Sequence, residues 1–169
     1  MSIAIGIDNG VSGAIVVITD NNVHYTPTPV ISQQNYTKKK GNISRVDFGK
    51  LYEFLFPYSK VQDKNSVMCL IERPMVNPGR FKATVSALRA LECTLNVVEL
   101  LDIPYAYIDS KEWQKKFLPQ GIKGEDTKKY SMDIGKRFFP KFSVEINKQK
   151  DADAFLIAKY CQMKYFTNL

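Results

Sequence analysis

The chain has 169 residues, 44% apolar and 24% charged, with a formal net charge of +7 at pH 7. That length and mixture suit one globular domain over residues 1–169 with a sizeable core. No apolar stretch approaches the roughly 20 residues of a membrane span, and the N-terminus lacks a basic region followed by an apolar one, so a soluble cytoplasmic protein is expected. Cys69, Cys93 and Cys161 make no zinc spacing, and their odd number argues against a disulfide framework. Each falls in an apolar pattern, so buried free thiols are expected. The positive charge suits a polyanionic partner, which on its own is weak evidence for nucleic acid.

Residues 3–8, 12–19 and 22–27 read as three short strands, with turns at Asn9-Gly10 and Asp20-Asn21-Asn22. Residues 28–45 are polar and without period, and read as a loop; Lys38-Lys39-Lys40 lies in it, either as a solvated tip or as a DNA contact. Val46, Leu51, Phe54 and Leu55 give residues 46–56 the spacing of a short amphipathic helix ending before Pro57. Val67 to Ile71 is a fully apolar strand, broken off at Pro74 and Asn77-Pro78-Gly79. A long helix follows over 82–102, with Ala87, Leu91, Leu95 and Val98 on one face. Tyr105 to Ile108 forms another strand. Asp109 or Ser110 caps a short helix containing Trp113. Gly121 and Gly124 mark a loop, 126–138 is a further helix, and the last helix runs from about 152 to 166 with Ala154, Ala158, Cys161 and Tyr165 on one face. His24 falls late on an outer strand and is expected to be exposed.

This order suits an α/β fold of ribonuclease H-like form: a mixed five-stranded sheet, with a three-stranded antiparallel meander plus parallel strands, flanked by helices. The first strand would lie beside the fourth, so that Asp8 and Glu72, each ending an apolar run, meet at one sheet edge. Asp151 and Asp153 open the last helix nearby. Carboxylates gathered in one cleft repel one another and need cations, and hard oxygen ligands select Mg²⁺ or Mn²⁺. Two such ions can drive phosphodiester hydrolysis. Each acid also has a plainer reading. Asp8 before Asn9-Gly10 can be a turn former, Glu72 can pair with Arg73 on the surface, Asp151 can cap the last helix, and Asp153 can favour its positive end. Two residues apart within a helix, Asp151 and Asp153 would point about 200° from each other. Only one of them can lie squarely on the metal-facing side unless Asp151 precedes the helix, and Asp153 is favoured because Ala154 and Ala158 set the core stripe beside it.

The ordered set Ile5-Gly6-Ile7-Asp8-Asn9-Gly10 with Ser12-Gly13-Ala14, then Ile71-Glu72-Arg73-Pro74, Trp113-Gln114-Lys115, Asp126-Thr127-Lys128, Phe138-Phe139-Pro140 and Asp153-Ala154-Phe155-Leu156-Ile157-Ala158 resembles the RuvC-type Holliday-junction resolvases, especially those of phages and mobile elements. It covers most of the chain. The resemblance implies a Mg²⁺-dependent endonuclease (Mn²⁺ substituting) that cuts four-way DNA junctions symmetrically as a homodimer. It implies metal binding by Asp8, Glu72 and Asp153, with Asp151 as a candidate fourth acid. The family's usual Asp or His three residues before the last Asp falls on Lys150, which cannot bind Mg²⁺ as an ammonium. Lys115 and Lys128 are the candidates for the scissile phosphate, Lys128 with a catalytic role. Met75 and Phe81 are candidates to wedge against unpaired bases, and Arg80 and Lys150 are further candidate DNA contacts. Trp113 is expected to pack under the catalytic face. A nuclease of the same fold acting on flaps, forks or RNA–DNA hybrids, and a junction-binding protein without catalysis, are the alternatives.

Overall fold

The computed structural model describes residues 2–36, 38, 40–122 and 124–167, so Lys39 of the lysine run lies outside the described residues. In chain order the elements are strands β1 (Ile3–Asp8), β2 (Ala14–Thr19), β3 (Val23–Pro27), β4 (Val30–Gln34) and β5 (Asn42–Val46), helix α1 (Phe48–Ser59), strand β6 (Val67–Glu72), helix α2 (Phe81–Leu100), strand β7 (Tyr105–Ile108), and helices α3 (Ser110–Phe117), α4 (Glu125–Phe138), α5 (Ser143–Gln149) and α6 (Asp153–Tyr165). The main sheet has the order β3-β2-β1-β6-β7. β1, β2 and β3 form an antiparallel meander, β6 runs parallel to β1, and β7 runs parallel to β6. This is the mixed five-stranded sheet expected from the sequence.

The central strands are apolar on both faces because both faces are covered. Ile3, Ile5 and Ile7 of β1, with Cys69 and Ile71 of β6, pack toward Leu51 and Leu55 of α1 and Val97 and Val98 of α2. Ala4 and Leu70 face the other way, into a cluster with Trp113 and residues 154–158 of α6. Side chains alternate along a strand, so Asp8 follows Ala4 and Gly6 onto the α6 face, and Glu72 follows Leu70 onto the same face.

Gly6 sets the depth of that packing. A Cβ on Gly6 would lie 2.2 Å from the Ala158 nitrogen and 2.6 Å from the Ala154 carbonyl oxygen. With glycine below and alanines above, the backbone of α6 rests directly on β1. The first residue of α6 is thereby brought to the end of β1 that carries Asp8.

Four expectations need correction. Residues 28–45 are not a loop throughout, since β4 and β5 pair as an antiparallel hairpin from Val30↔Val46 to Gln34↔Asn42. The β4 strand is exposed along its whole length, so no half-buried alternation marked it. Helix α1 starts two residues later than expected, capped by the Asp47 side chain on the Lys50 N–H, and continues through Pro57. Pro57 falls in the last turn. On α2 the buried line runs through Thr84, Ala90, Thr94, Val97 and Val98, while Ala87, Leu91 and Leu95 are half-buried at its flank. Cys69 and Cys161 are buried free thiols, but Cys93 is only partly buried. His24 is exposed, as expected.

Candidate metal centre and nucleic-acid interface

Ile7 pairs with Ile71 in the parallel register, so the next residues, Asp8 and Glu72, end the two strands side by side. The two carboxyls hydrogen-bond to each other, and burial together with the charges of Glu72, Asp153 and Asp151 holds the Asp8 carboxyl well above the usual carboxylate range. Burial also raises Glu72, against the lowering effect of hydrogen bonds from Trp113 and Asp8. Asp153, buried and beside Asp151, is pushed up to about 7. Burial raises Asp151 too, opposed chiefly by Lys128. All four candidate acids therefore share one electrostatic neighbourhood.

The plainer readings of the acids can now be weighed. The Asp8 side chain turns to Glu72, while the turn itself is closed by Gly13 N–H donating to the Gly10 carbonyl at 3.1 Å. Gly13 is needed there, because a Cβ would fall 2.0 Å from the Asp8 carbonyl oxygen. Arg73 does not pair with Glu72; its Nε lies 3.2 Å from Asp109 Oδ1, and its guanidinium sits over the Tyr107 ring. Asp151 precedes α6, which begins at Asp153. The opposition of directions expected within a helix therefore does not arise, and both acids act on Asp8.

Several groups orient the acids. Trp113 is fully buried, as expected beneath this face, and its indole N–H also donates to Glu72 Oε1 at 3.1 Å. Ser131 of α4 is fully buried; its hydroxyl donates to Asp153 Oδ1 at 2.5 Å and accepts from the Ala152 N–H at 3.2 Å. Gln149 Nε2 donates to the Ser12 carbonyl at 2.6 Å, tying the end of α5 to the turn after Asp8. Sequence reasoning missed Ser131 and Gln149. The one trace of Ser131 is its spacing with Gly135, two small residues four apart on the face of α4 that meets Ala152.

Lys128 Nζ is 3.9 Å from Asp151 Oδ2, with its side chain still largely exposed. Lys150 adopts the left-handed conformation, φ 66°, at the end of α5. Its side chain is exposed. The left-handed turn at Lys150 swings the chain so that Asp151 enters the acid cluster. Lys115 is exposed on α3, beside a shallow cleft with Lys111 and Gln114. Met75 and Phe81 are 78% and 72% exposed, and Arg80 stands exposed next to Phe81. Thus the structure gathers Asp8, Glu72, Asp151, Asp153 and Lys128, while Lys115, Arg80, Phe81, Met75 and Lys150 lie on the surface.

The donor set is four carboxylates, which fits a hard cation such as Mg²⁺ and not a soft one. As the side chains stand, no group of three His, Cys, Asp or Glu among the described residues is set to hold an ion. Asp8 and Glu72 instead hydrogen-bond to each other.

No family model and no curated protein sequence matches the chain. Among solved structures, the Thermus thermophilus RuvC in complex with Holliday junction substrate is similar over 99% of this chain and 98% of that chain, at 9% identity and a TM-score of 0.58. A second structure of Thermus thermophilus RuvC is similar over 96% and 97% of the two chains, at 12% identity and a TM-score of 0.53. The chain therefore has the RuvC-type, ribonuclease H-like fold over nearly its whole length.

Proposed function

We propose that the chain is a Mg²⁺-dependent, structure-specific endonuclease that resolves four-way (Holliday) DNA junctions by symmetric hydrolysis as a homodimer. One observation carries this reading: four carboxylates from β1, β6 and the start of α6 share a site on the α6 face, in a fold like that of a RuvC solved with a Holliday junction. The +7 charge suits the polyanionic substrate.

When bound, two divalent ions would supply activation of water and stabilisation of the leaving oxygen of a phosphodiester. Asp8, which senses the charge of the other three acids, would hold them jointly with Glu72, oriented by the Trp113 indole, and with Asp151 and Asp153, the latter oriented by Ser131. Lys128 would release Asp151 and neutralise a non-bridging oxygen of the scissile phosphate, with Lys115 and Lys150 contacting the backbone further out. Arg80, Phe81 and Met75, exposed on the segment after Glu72, would meet the junction centre, where unpaired bases can stack.

The test is a synthetic four-way junction incubated with protein and Mg²⁺, beside flaps, forks, RNA–DNA hybrids and linear duplex. Paired nicks placed symmetrically in the junction are the expected result. Preferential cutting of a flap or hybrid would move the assignment to another nuclease of the same fold. Junction binding in EDTA with no cutting in Mg²⁺ or Mn²⁺ would leave only a binding protein.

A further inference from the structure

The hairpin of β4 and β5 has no place in the main sheet and no role in the acid site. It spans residues 30–46, which contain Lys38, Lys39, Lys40 and Arg45 and no Asp or Glu. Four positive charges in so short a stretch are a large share of the net +7. Lys38 and Lys40 stand exposed at the tip and have no acidic partner among the described residues.

Between the hairpin and α2 runs an open cleft of about 870 Å³. Val11, in the turn that follows Asp8, is among its lining residues and packs on the α1–α2 face of the sheet, opposite the face that carries the acids. Its walls carry Arg45 and Arg89, with Glu92 as an opposing acid. Both guanidiniums are held in place without a carboxylate: Arg45 Nη1 donates to Gln33 Oε1 at 2.5 Å, and Arg89 Nη2 donates to the Ser44 carbonyl at 3.1 Å. Arg89 also lies 5.7 Å from the centre of the Tyr36 ring, which is 70% exposed. An exposed two-stranded ribbon is narrow enough to approach a DNA groove about 12 Å wide. Guanidiniums held by neutral oxygens and exposed lysines suit phosphate oxygens.

We propose that the β4–β5 ribbon is a second DNA contact, seating a duplex arm of the substrate through Lys38, Lys40, Arg45 and Arg89 at a distance from the cut. The contact rests on the reading that the substrate is DNA, and not on the cleavage chemistry. Phosphate contacts of this kind carry no base preference and respond to arm length and salt.

The test compares the full chain with its Lys38→Ala/Lys40→Ala variant, binding a labelled four-way junction in EDTA across a salt series, with arms of full length and of a few base pairs. The variant is expected to bind the long-armed junction about tenfold more weakly at low salt. The slope of log affinity against log salt should fall by about 2, near 0.9 for each lost phosphate contact. Short-armed junctions should bind both proteins alike, and Lys38→Arg/Lys40→Arg should restore the loss. Equal affinities and slopes on long arms would overturn the contact. So would a halved solution mass of the variant, because the ribbon would then hold a second copy of the chain. If the wild type cuts no junction yet the variant still loses long-arm binding, the resolvase assignment fails and the ribbon contact stands.

Discussion

The acid site and the β4–β5 ribbon lie on either side of one turn, and they are built in opposite ways. The acids are held in a buried frame. Gly6 lets α6 lie on β1, Ser131 fixes Asp153, Trp113 fixes Glu72, and burial raises all four carboxyls, with the other three acids adding to the rise at Asp8. The ribbon is exposed and cationic, with the guanidinium of its Arg45 and that of Arg89 on α2 steadied by neutral oxygens. Burial makes the charges of the first region costly without a cation. Exposure makes the charges of the second cheap to maintain and individually weak. Position therefore matters to a fraction of an ångström in one region and only loosely in the other, and substitutions should separate the two.

The largest expected effect is at Asp8. Asp8→Asn keeps the shape and removes the charge, and junction cleavage should fall about a thousandfold or more, as for loss of a central electrostatic group. Junction binding should persist in the same variant, measured by gel shift in EDTA. Substantial cleavage by the Asn variant would show that the buried frame is not the reactive one.

Gly6→Ala probes the frame without touching an acid. The new methyl would meet the backbone of α6. Unfolding free energy in urea should drop by about 3 kcal/mol, the upper range for overpacking, and cleavage should fall with it. Ribbon-dependent binding to long arms should be lost only to the extent that the protein unfolds.

Ser131→Ala should cost about 10–100-fold in divalent-metal affinity, the usual cost of removing a group that orients a ligand. Calorimetric titration with Mn²⁺ reads this directly. An unchanged affinity would mean that Asp153 needs no orientation.

A pH series on metal-free protein sharpens the contrast. Asp153 is raised from an ordinary 3.8 to about 7, and Asp8, Glu72 and Asp151 are also raised. A carboxyl with a raised folded pKa favours folding in its protonated form. Its contribution is complete below the unfolded value and is lost as pH climbs through the folded one. The thermal midpoint of the metal-free protein should therefore decline between about pH 4 and pH 7, and saturating Mg²⁺ should reverse much of the decline. The ribbon bears no acid, so Lys38→Ala/Lys40→Ala should leave the profile unchanged.

The smallest expected effect is at Lys150. Lys150→Gly relieves a left-handed residue and should stabilise the fold by about 1 kcal/mol. Any loss of junction affinity on top of this would measure the contribution of the Lys150 ammonium.

How much could be read beforehand follows the same division. Asp8 and Glu72 were legible because strand alternation and burial dictate them. Each ends an apolar run, and parity with Ala4, Gly6 and Leu70 assigns both to the α6 face. Asp153 followed from the alanines beside it. The place of Asp151 turned on where α6 begins, and that depends on the left-handed turn at Lys150, for which a lysine gives no warning. The β4–β5 hairpin reads as loop because β4 is exposed along its whole length and β5 buries only Val46 at its end, so neither carries an alternation to detect. Ser131 was invisible for the reverse reason. It is a small polar group on a helix face, identical in pattern to a solvated serine until its bond to Asp153 is seen.

The most direct measurement is the anomalous scattering of Mn²⁺ in crystals of the protein at neutral pH. Manganese bound by Asp8 together with Glu72 and Asp153 is the expected result, with the Asp8–Glu72 hydrogen bond opened to admit it. A well-ordered site in which saturating Mn²⁺ leaves those three carboxyls untouched would contradict the account.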